Sequence, residues 1–117
     1  MHKPVIAITM GDPAGIGPEL IVKVLAEEGM YARARPFVIG DPRVMTEICR
    51  VLGAPLTFRG VGDLSQAHFR PGEVDVLQPA GLEVGDLAWG VLDPAMGRAA
   101  ALCLKEAFTL AMDGRVA

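Results

Sequence analysis

Short apolar runs alternate along the chain with longer stretches of helical spacing. Val5 to Ile8 is a continuous apolar run of strand length, ending at Thr9-Met10-Gly11. From Leu20 to Glu28 the spacing becomes helical. Leu20, Ile21, Val24 and Leu25 share one broad face, Lys23, Glu27 and Glu28 lie off it, and Gly29 is placed to end the helix. Phe37-Val38-Ile39 reads as a second buried strand. Asp41-Pro42 then offers a cap followed by a first-turn proline. The helix it predicts runs from about Pro42 to Leu52, with Val44, Ile48, Val51 and Leu52 inward and Gly53 as its stop.

Beyond this the pattern weakens. Leu56-Thr57-Phe58 and Val74-Asp75-Val76-Leu77 are strand candidates, separated by a polar stretch with Asp63, Ser65, Gln66, His68 and the turn pair Pro71-Gly72. Gly81 to Pro94 is loop-like. A helix from about Ala95 to Asp113 follows, with Met96, Ala100, Cys103, Ala107 and Leu110 along one stripe. Strands alternating with helices predict an α/β fold of alternating strand-helix layers, and there is no internal repeat or low-complexity segment.

The candidate chemistry lies in Thr9 to Glu19, T-M-G-D-P-A-G-I-G-P-E, the turn between the first strand and the first helix. Turns at this end of α/β strands are where such folds keep ligands. Gly11, Gly15 and Gly17 permit positive φ and close approach of a ligand, and Pro18 suits a first helical turn. The helix's free amides make a polar, partly positive surface for a ligand oxygen. Asp12 would repel a bare phosphate, so a ribose hydroxyl or a structural hydrogen bond suits it better. Leu20 stands where a dinucleotide fingerprint needs its third glycine, and no Gly-Lys-Ser/Thr follows, so neither that fingerprint nor a P-loop is present. A tight turn with no ligand remains the alternative reading.

Composition narrows the partners. Apolar residues make up 51%, the formal net charge is −3, and Lys and Arg are dispersed, so no nucleic-acid surface is indicated. No apolar run reaches membrane-span length and no signal-peptide core follows Met1-His2-Lys3-Pro4, which makes a cytoplasmic location the expectation. Cys49 and Cys103 fall in helix-patterned segments and read as reduced core residues. His2 and His68 are far apart and at no metal-ligand spacing, which predicts surface histidines and no metal site in this chain. Asp41 reads as a helix cap, with a ligand carboxylate as the alternative, and Met10 as core. Trp89, in a loop from Gly85 to Gly90, reads as ordinary packing, with a cover for an active site or a subunit anchor as alternatives.

The eleven residues from Thr9 to Glu19 resemble the amino-terminal signature of the 4-hydroxythreonine-4-phosphate dehydrogenase family of vitamin B6 biosynthesis. The resemblance continues through Ile39-Gly40-Asp41-Pro42 and the helix ending at Asp113-Gly114. The shorter G-D-x-x-G-I-G-P-E core also resembles isocitrate and isopropylmalate dehydrogenases, which implies a related fold. The resemblance to the 4-hydroxythreonine-4-phosphate dehydrogenase family further implies NAD- or NADP-dependent oxidation of a small phosphorylated hydroxy acid, 4-phosphohydroxy-L-threonine, to a β-keto acid that loses carbon dioxide. A divalent metal (Zn, Mg or Co) and the catalytic residues would come from beyond this chain, in a homodimer. Within the chain the resemblance places Gly11, Asp12, Ala14, Gly15 and Ile16 at the border of the cofactor pocket, through backbone amides more than side chains. Members of the family are far longer than 117 residues, so the sequence reads as an amino-terminal fragment, inactive by itself. A related enzyme acting on 4-phosphothreonate or 4-phosphoerythronate, a non-catalytic nucleotide-binding module and a non-binding structural fragment are the alternatives.

Overall fold

A four-stranded parallel sheet runs through the centre of the described residues, which are 3–27, 29–82 and 94–117 of the computed structural model. Its strands are β1 (Val5–Thr9), β2 (Arg35–Ile39), β3 (Thr57–Val61) and β4 (Glu73–Leu77), in the order β1-β2-β4-β3. In the central strands Phe37, Val38, Ile39, Val74 and Val76 are all fully buried. Successive side chains point to opposite faces, so the sheet is covered on both. That is why Phe37 to Ile39 reads as an unbroken apolar run, while Asp75 interrupts the one in β4. His2, Glu28, Trp89 and most of the Gly81 to Pro94 loop lie outside the described residues.

Among the described residues four α-helices flank the sheet: α1 (Gly17–Leu25), α2 (Gly29–Arg33), α3 (Pro42–Leu52) and, after β4, α4 (Pro94–Met112). Packing sets α1 against α3, α3 against β3, α2 against β2, and α4 across β1 and β2. The bounds of α3 are those its sequence dictates. Asp41 caps it by accepting the Arg43 amide at 2.9 Å, Pro42 opens it, and Gly53 closes it in the left-handed conformation at φ 65°. Its inward residues are Val44, Met45, Ile48 and Cys49. Val51 and Leu52, expected inward, instead line an open cleft with Glu19 and Ile48.

The first helix departs further from expectation. It starts at Gly17, and it ends at Leu25, where the Glu27 amide turns back to the Val24 carbonyl at 3.2 Å and tightens the last turn. Gly29 begins α2 and does not end α1. Pro18, Ile21, Val22 and Leu25 are buried, whereas Leu20 and Val24 are 52% and 43% exposed. With apolar residues at 20, 21, 22, 24 and 25, periodicity alone cannot fix which stripe turns inward. In α4 the buried stripe is Met96, Ala99, Cys103 and Leu110, with Ala100 and Ala107 half-buried. Beyond α4, the Ala117 amide donates to the Val5 carbonyl at 2.9 Å, beside the outer edge of β1.

A buried carboxylate organises the connection from β3 to β4. Asp75 accepts Arg59 Nη1 at 2.9 Å and the amides of His68 and Phe69 at 3.0 and 2.9 Å. Phe69 takes φ 54°, an uncommon conformation for a side-chain-bearing residue, and those bonds hold it there. Tyr31 is buried nearby, and its hydroxyl has no partner among the described residues. Burial first, and then the Asp75 charge, push its phenol up to about 12.

Candidate functional site

Because all four strands are parallel, their carboxyl ends share one edge of the sheet. There β2 and β4 are neighbours whose chains leave in opposite directions, β2 toward β3 through α3 and β4 back toward β1 through α4. Such a reversal opens a crevice in α/β sheets. The turn from Met10 to Ile16 lies at the same edge, between the end of β1 and the start of α1.

Asp12 organises that turn. Its Oδ1 accepts the Ala14 amide at 2.8 Å, and its carbonyl accepts the Gly15 amide at 3.0 Å. The amides of Ala14 and Gly15 are therefore engaged within the turn. At the start of α1 the amides of Gly17 and Glu19 have no carbonyl within the helix to bond to, Ile16 brings no side-chain cap and Pro18 has no N–H. Asp12 is exposed, and Ile16 is 73% exposed. Glu19 sits in the same first turn, paired with Lys23 at 3.0 Å. Two carboxylates beside two open amides suit a hydroxyl-bearing ligand better than a phosphate.

The glycines of the motif have separate physical reasons. Of the three, only Gly11 is left-handed, at φ 73°, with open space where a side chain would stand. At Gly15 a Cβ would stand 3.4 Å from the Asp12 carbonyl oxygen, an ordinary contact that the turn could accept. At Gly17 a Cβ would meet the Met10 carbonyl oxygen at 2.7 Å, a distance real atoms do not tolerate. Clearance from the protein's own backbone, and not from a ligand, explains Gly17.

Met10 lies beneath all of this, fully buried. Its amide extends the sheet ladder to the Ile39 carbonyl at 2.8 Å, and its side chain lies on Gly40. A Cβ at 40 would come within 2.7 Å of Met10 Cβ and 2.9 Å of its Sδ. Sequence reasoning assigned Met10 to the core and missed its contact with Gly40. The only signal was that both residues immediately follow strands, Met10 the half-buried β1 and Gly40 the buried β2.

The remaining candidates fall into structural roles. Asp41 is fully buried, and its second oxygen faces Arg43 Nη2 at 3.3 Å, so it is a cap as its sequence setting suggests. Both cysteines are free and buried. Cys103 sits against the backbone of Met10 and Gly11. Burial chiefly pushes its thiol up to about 11, the Asp41 charge adds to this, and the Met10 and Gly11 backbone pulls the other way. His68 is exposed, with Nδ1 3.9 Å from Glu73. Among the described residues no three His, Cys, Asp or Glu side chains gather around a common point, and no helix is long and apolar enough to cross a membrane.

Known proteins similar to this chain are named as dehydrogenases. The D-threonate 4-phosphate dehydrogenase of Cupriavidus necator is 41% identical over 115 residues, covering 98% of this chain and 34% of that protein. The 4-hydroxythreonine-4-phosphate dehydrogenase of Desulfosudis oleivorans is 36% identical over 114 residues, 97% of this chain and 33% of the relative. Among solved structures, a 4-hydroxythreonine-4-phosphate dehydrogenase from Burkholderia phymatum superposes with a TM-score of 0.94 at 39% identity, over 99% of this chain and 35% of that one. The chain thus spans about a third of the length of the curated relatives it matches. No family model matches it.

Proposed function

We propose, because the chain belongs to the 4-hydroxythreonine-4-phosphate dehydrogenase family, that it forms the cofactor-bordering part of a dehydrogenase for a small 4-phosphorylated hydroxy acid. In this reading a secondary hydroxyl gives up hydride to NAD or NADP, and the resulting β-keto acid loses carbon dioxide. The observation that carries it is likeness along nearly the whole chain, the 9–19 turn included, to enzymes named for such substrates. The turn's own chemistry agrees: Asp12 presents an exposed carboxylate beside the open amides of Gly17 and Glu19, a pair of features suited to a ribose hydroxyl.

Two substrates stand out within the class. The relative at 41% identity is named for D-threonate 4-phosphate and the one at 36% for 4-hydroxythreonine 4-phosphate, which favours the amine-free acid first. The bound metal implied by the family would act as a Lewis acid on the substrate hydroxyl. Among the described residues no three His, Cys, Asp or Glu side chains form a donor set for it, and in this reading its ligands and the catalytic residues come from polypeptide beyond these 117 residues. The isocitrate dehydrogenase-like architecture, a homodimeric assembly and a cytoplasmic location are part of the same reading.

The test is to assay the protein carrying these residues for reduction of NAD and NADP with D-threonate 4-phosphate, 4-phosphohydroxy-L-threonine and 4-phosphoerythronate. Turnover of at least one, dependent on added divalent metal, is expected. No turnover of any, with cofactor still bound, would leave a nucleotide-binding module, and loss of both would remove the dehydrogenase reading. The pure 117-residue chain is expected to form no reduced cofactor.

A further inference from the structure

Two segments that are far apart in sequence, Thr9 to Glu19 and Ile39 to Pro42, meet at one residue. Met10 is held on three sides. Its amide is tied to Ile39 at 2.8 Å, its carbonyl lies under Gly17, and its side chain lies on Gly40. Each glycine leaves room that a methyl group would take, at 2.7 Å in both cases. The two contacts differ in kind. Gly17 faces fixed backbone, whereas Gly40 faces a side chain that could move only by lifting Met10 out of its seat. Met10 is followed directly by left-handed Gly11 and then by Asp12, so a displaced Met10 carries the turn with it.

We propose that Gly40 is a positioning residue for the 11–16 turn, acting through Met10. The missing Cβ at 40 sets the depth at which Met10 seats, and thereby where Asp12 and the α1 amides are presented to the cofactor. The inference rests on the reading that this turn borders the nicotinamide cofactor. It goes beyond that reading by placing a determinant of affinity just after a different strand, β2, in a residue that faces protein and not ligand. Gly40 itself continues the ladder, its amide donating to Leu77 at 3.0 Å, so a shift at this point would also be felt between β2 and β4.

The experiment uses the protein carrying these residues, with NAD and NADP affinity measured by calorimetry and both Michaelis constants measured by turnover. Gly40→Ala is expected to weaken cofactor binding by about tenfold or more, as misplacement by a fraction of an ångström to an ångström does, while the substrate constant stays unchanged. Adding Met10→Gly removes the Cβ that clashes and should recover most of the affinity. Adding Met10→Ala instead keeps that Cβ and should not. Hydrogen exchange at the Ala14 and Gly15 amides gives a second readout that needs no ligand. Exchange should quicken in Gly40→Ala and slow again in the Met10→Gly pair.

Unchanged affinity and exchange in Gly40→Ala would overturn the proposal, as would equal rescue by both partners. If Gly40→Ala does not fold, recovery of folding and binding in the Met10→Gly pair supports the seat, and failure of both variants overturns it. Should the unaltered protein bind neither cofactor, the functional reading falls, while exchange at Ala14 and Gly15 still decides whether Gly40 positions the turn.

Discussion

The Asp12 carboxylate and the Ala14 amide are joined at 2.8 Å, a two-residue loop of hydrogen bonding that folds the motif back on itself before α1 begins. One carboxylate oxygen is thereby committed to the turn, while the side chain as a whole stays exposed. Asp12 thus has a structural bond and a free charge, and the two can be separated by substitution.

Asp12→Asn keeps an acceptor for Ala14 and removes the charge, whereas Asp12→Ala removes both. The expected result is a melting temperature close to wild type for Asp12→Asn, with a cofactor Michaelis constant raised about tenfold, the scale of a lost charge-assisted hydrogen bond. Asp12→Ala should raise it further, with the substrate constant moving less in both. Wild-type cofactor kinetics in Asp12→Asn would leave the carboxylate with the turn alone.

Glycines that look alike in sequence should respond in opposite ways to alanine. Gly17→Ala drives a methyl group to 2.7 Å from the Met10 carbonyl oxygen and should cost about 1–3 kcal/mol, the usual range for overpacking. Gly97→Ala, in an exposed turn of α4 with nothing within 4 Å, should stabilise by about 1 kcal/mol through helix propensity. Denaturant titration of the two variants checks both signs.

The buried Asp75 should be among the most sensitive positions. Asp75→Ala leaves Arg59 and the amides of His68 and Phe69 without their acceptor, and an expected loss of about 3–5 kcal/mol follows from stranding a buried partner of an ion pair. Melting curves would read the loss directly.

Tyr31 predicts an alkaline limb. Its phenol is pushed from the ordinary 10 up to about 12, so the folded state holds the proton more tightly than the unfolded chain does. The contribution is complete below about pH 10 and is lost as pH rises through 12. Tyr31→Phe removes a buried hydroxyl that has no partner among the described residues, and should raise stability by about 1 kcal/mol while flattening that limb. A variant that melts lower at pH 8 and keeps the limb would refute this.

The parts of the fold legible in the sequence are those where one local signal decides. The bounds of α3 follow from Asp41, Pro42 and Gly53, and the buried strand β2 from its apolar run, with β4 a weaker signal because Asp75 interrupts it. What failed was any choice among apolar residues. In α1 both Val22 and Val24 are apolar, and only the tertiary packing of the helix selects Val22. The extension of β3 through Arg59 and Gly60 was illegible because its register is set by pairing with Asp75 and Val76 of a strand later in the chain. At the candidate site the turn was legible and its internal economy was not. That Gly17 and Gly40 both make room for Met10 depends on distances between three segments that no spacing rule encodes.

The order β1-β2-β4-β3 also constrains how the molecule is made. The slot between β2 and β3 is filled by the last of the four strands to be synthesised, Glu73–Leu77. Until Leu77 has left the ribosome, β2 and β3 each present an unpaired edge, and the Asp75 carboxylate that fixes the β3 to β4 connection is not yet in place. The nascent chain therefore passes through an interval in which chaperone binding or mispairing competes with closure of the sheet, and slow translation between codons 62 and 77 would lengthen it.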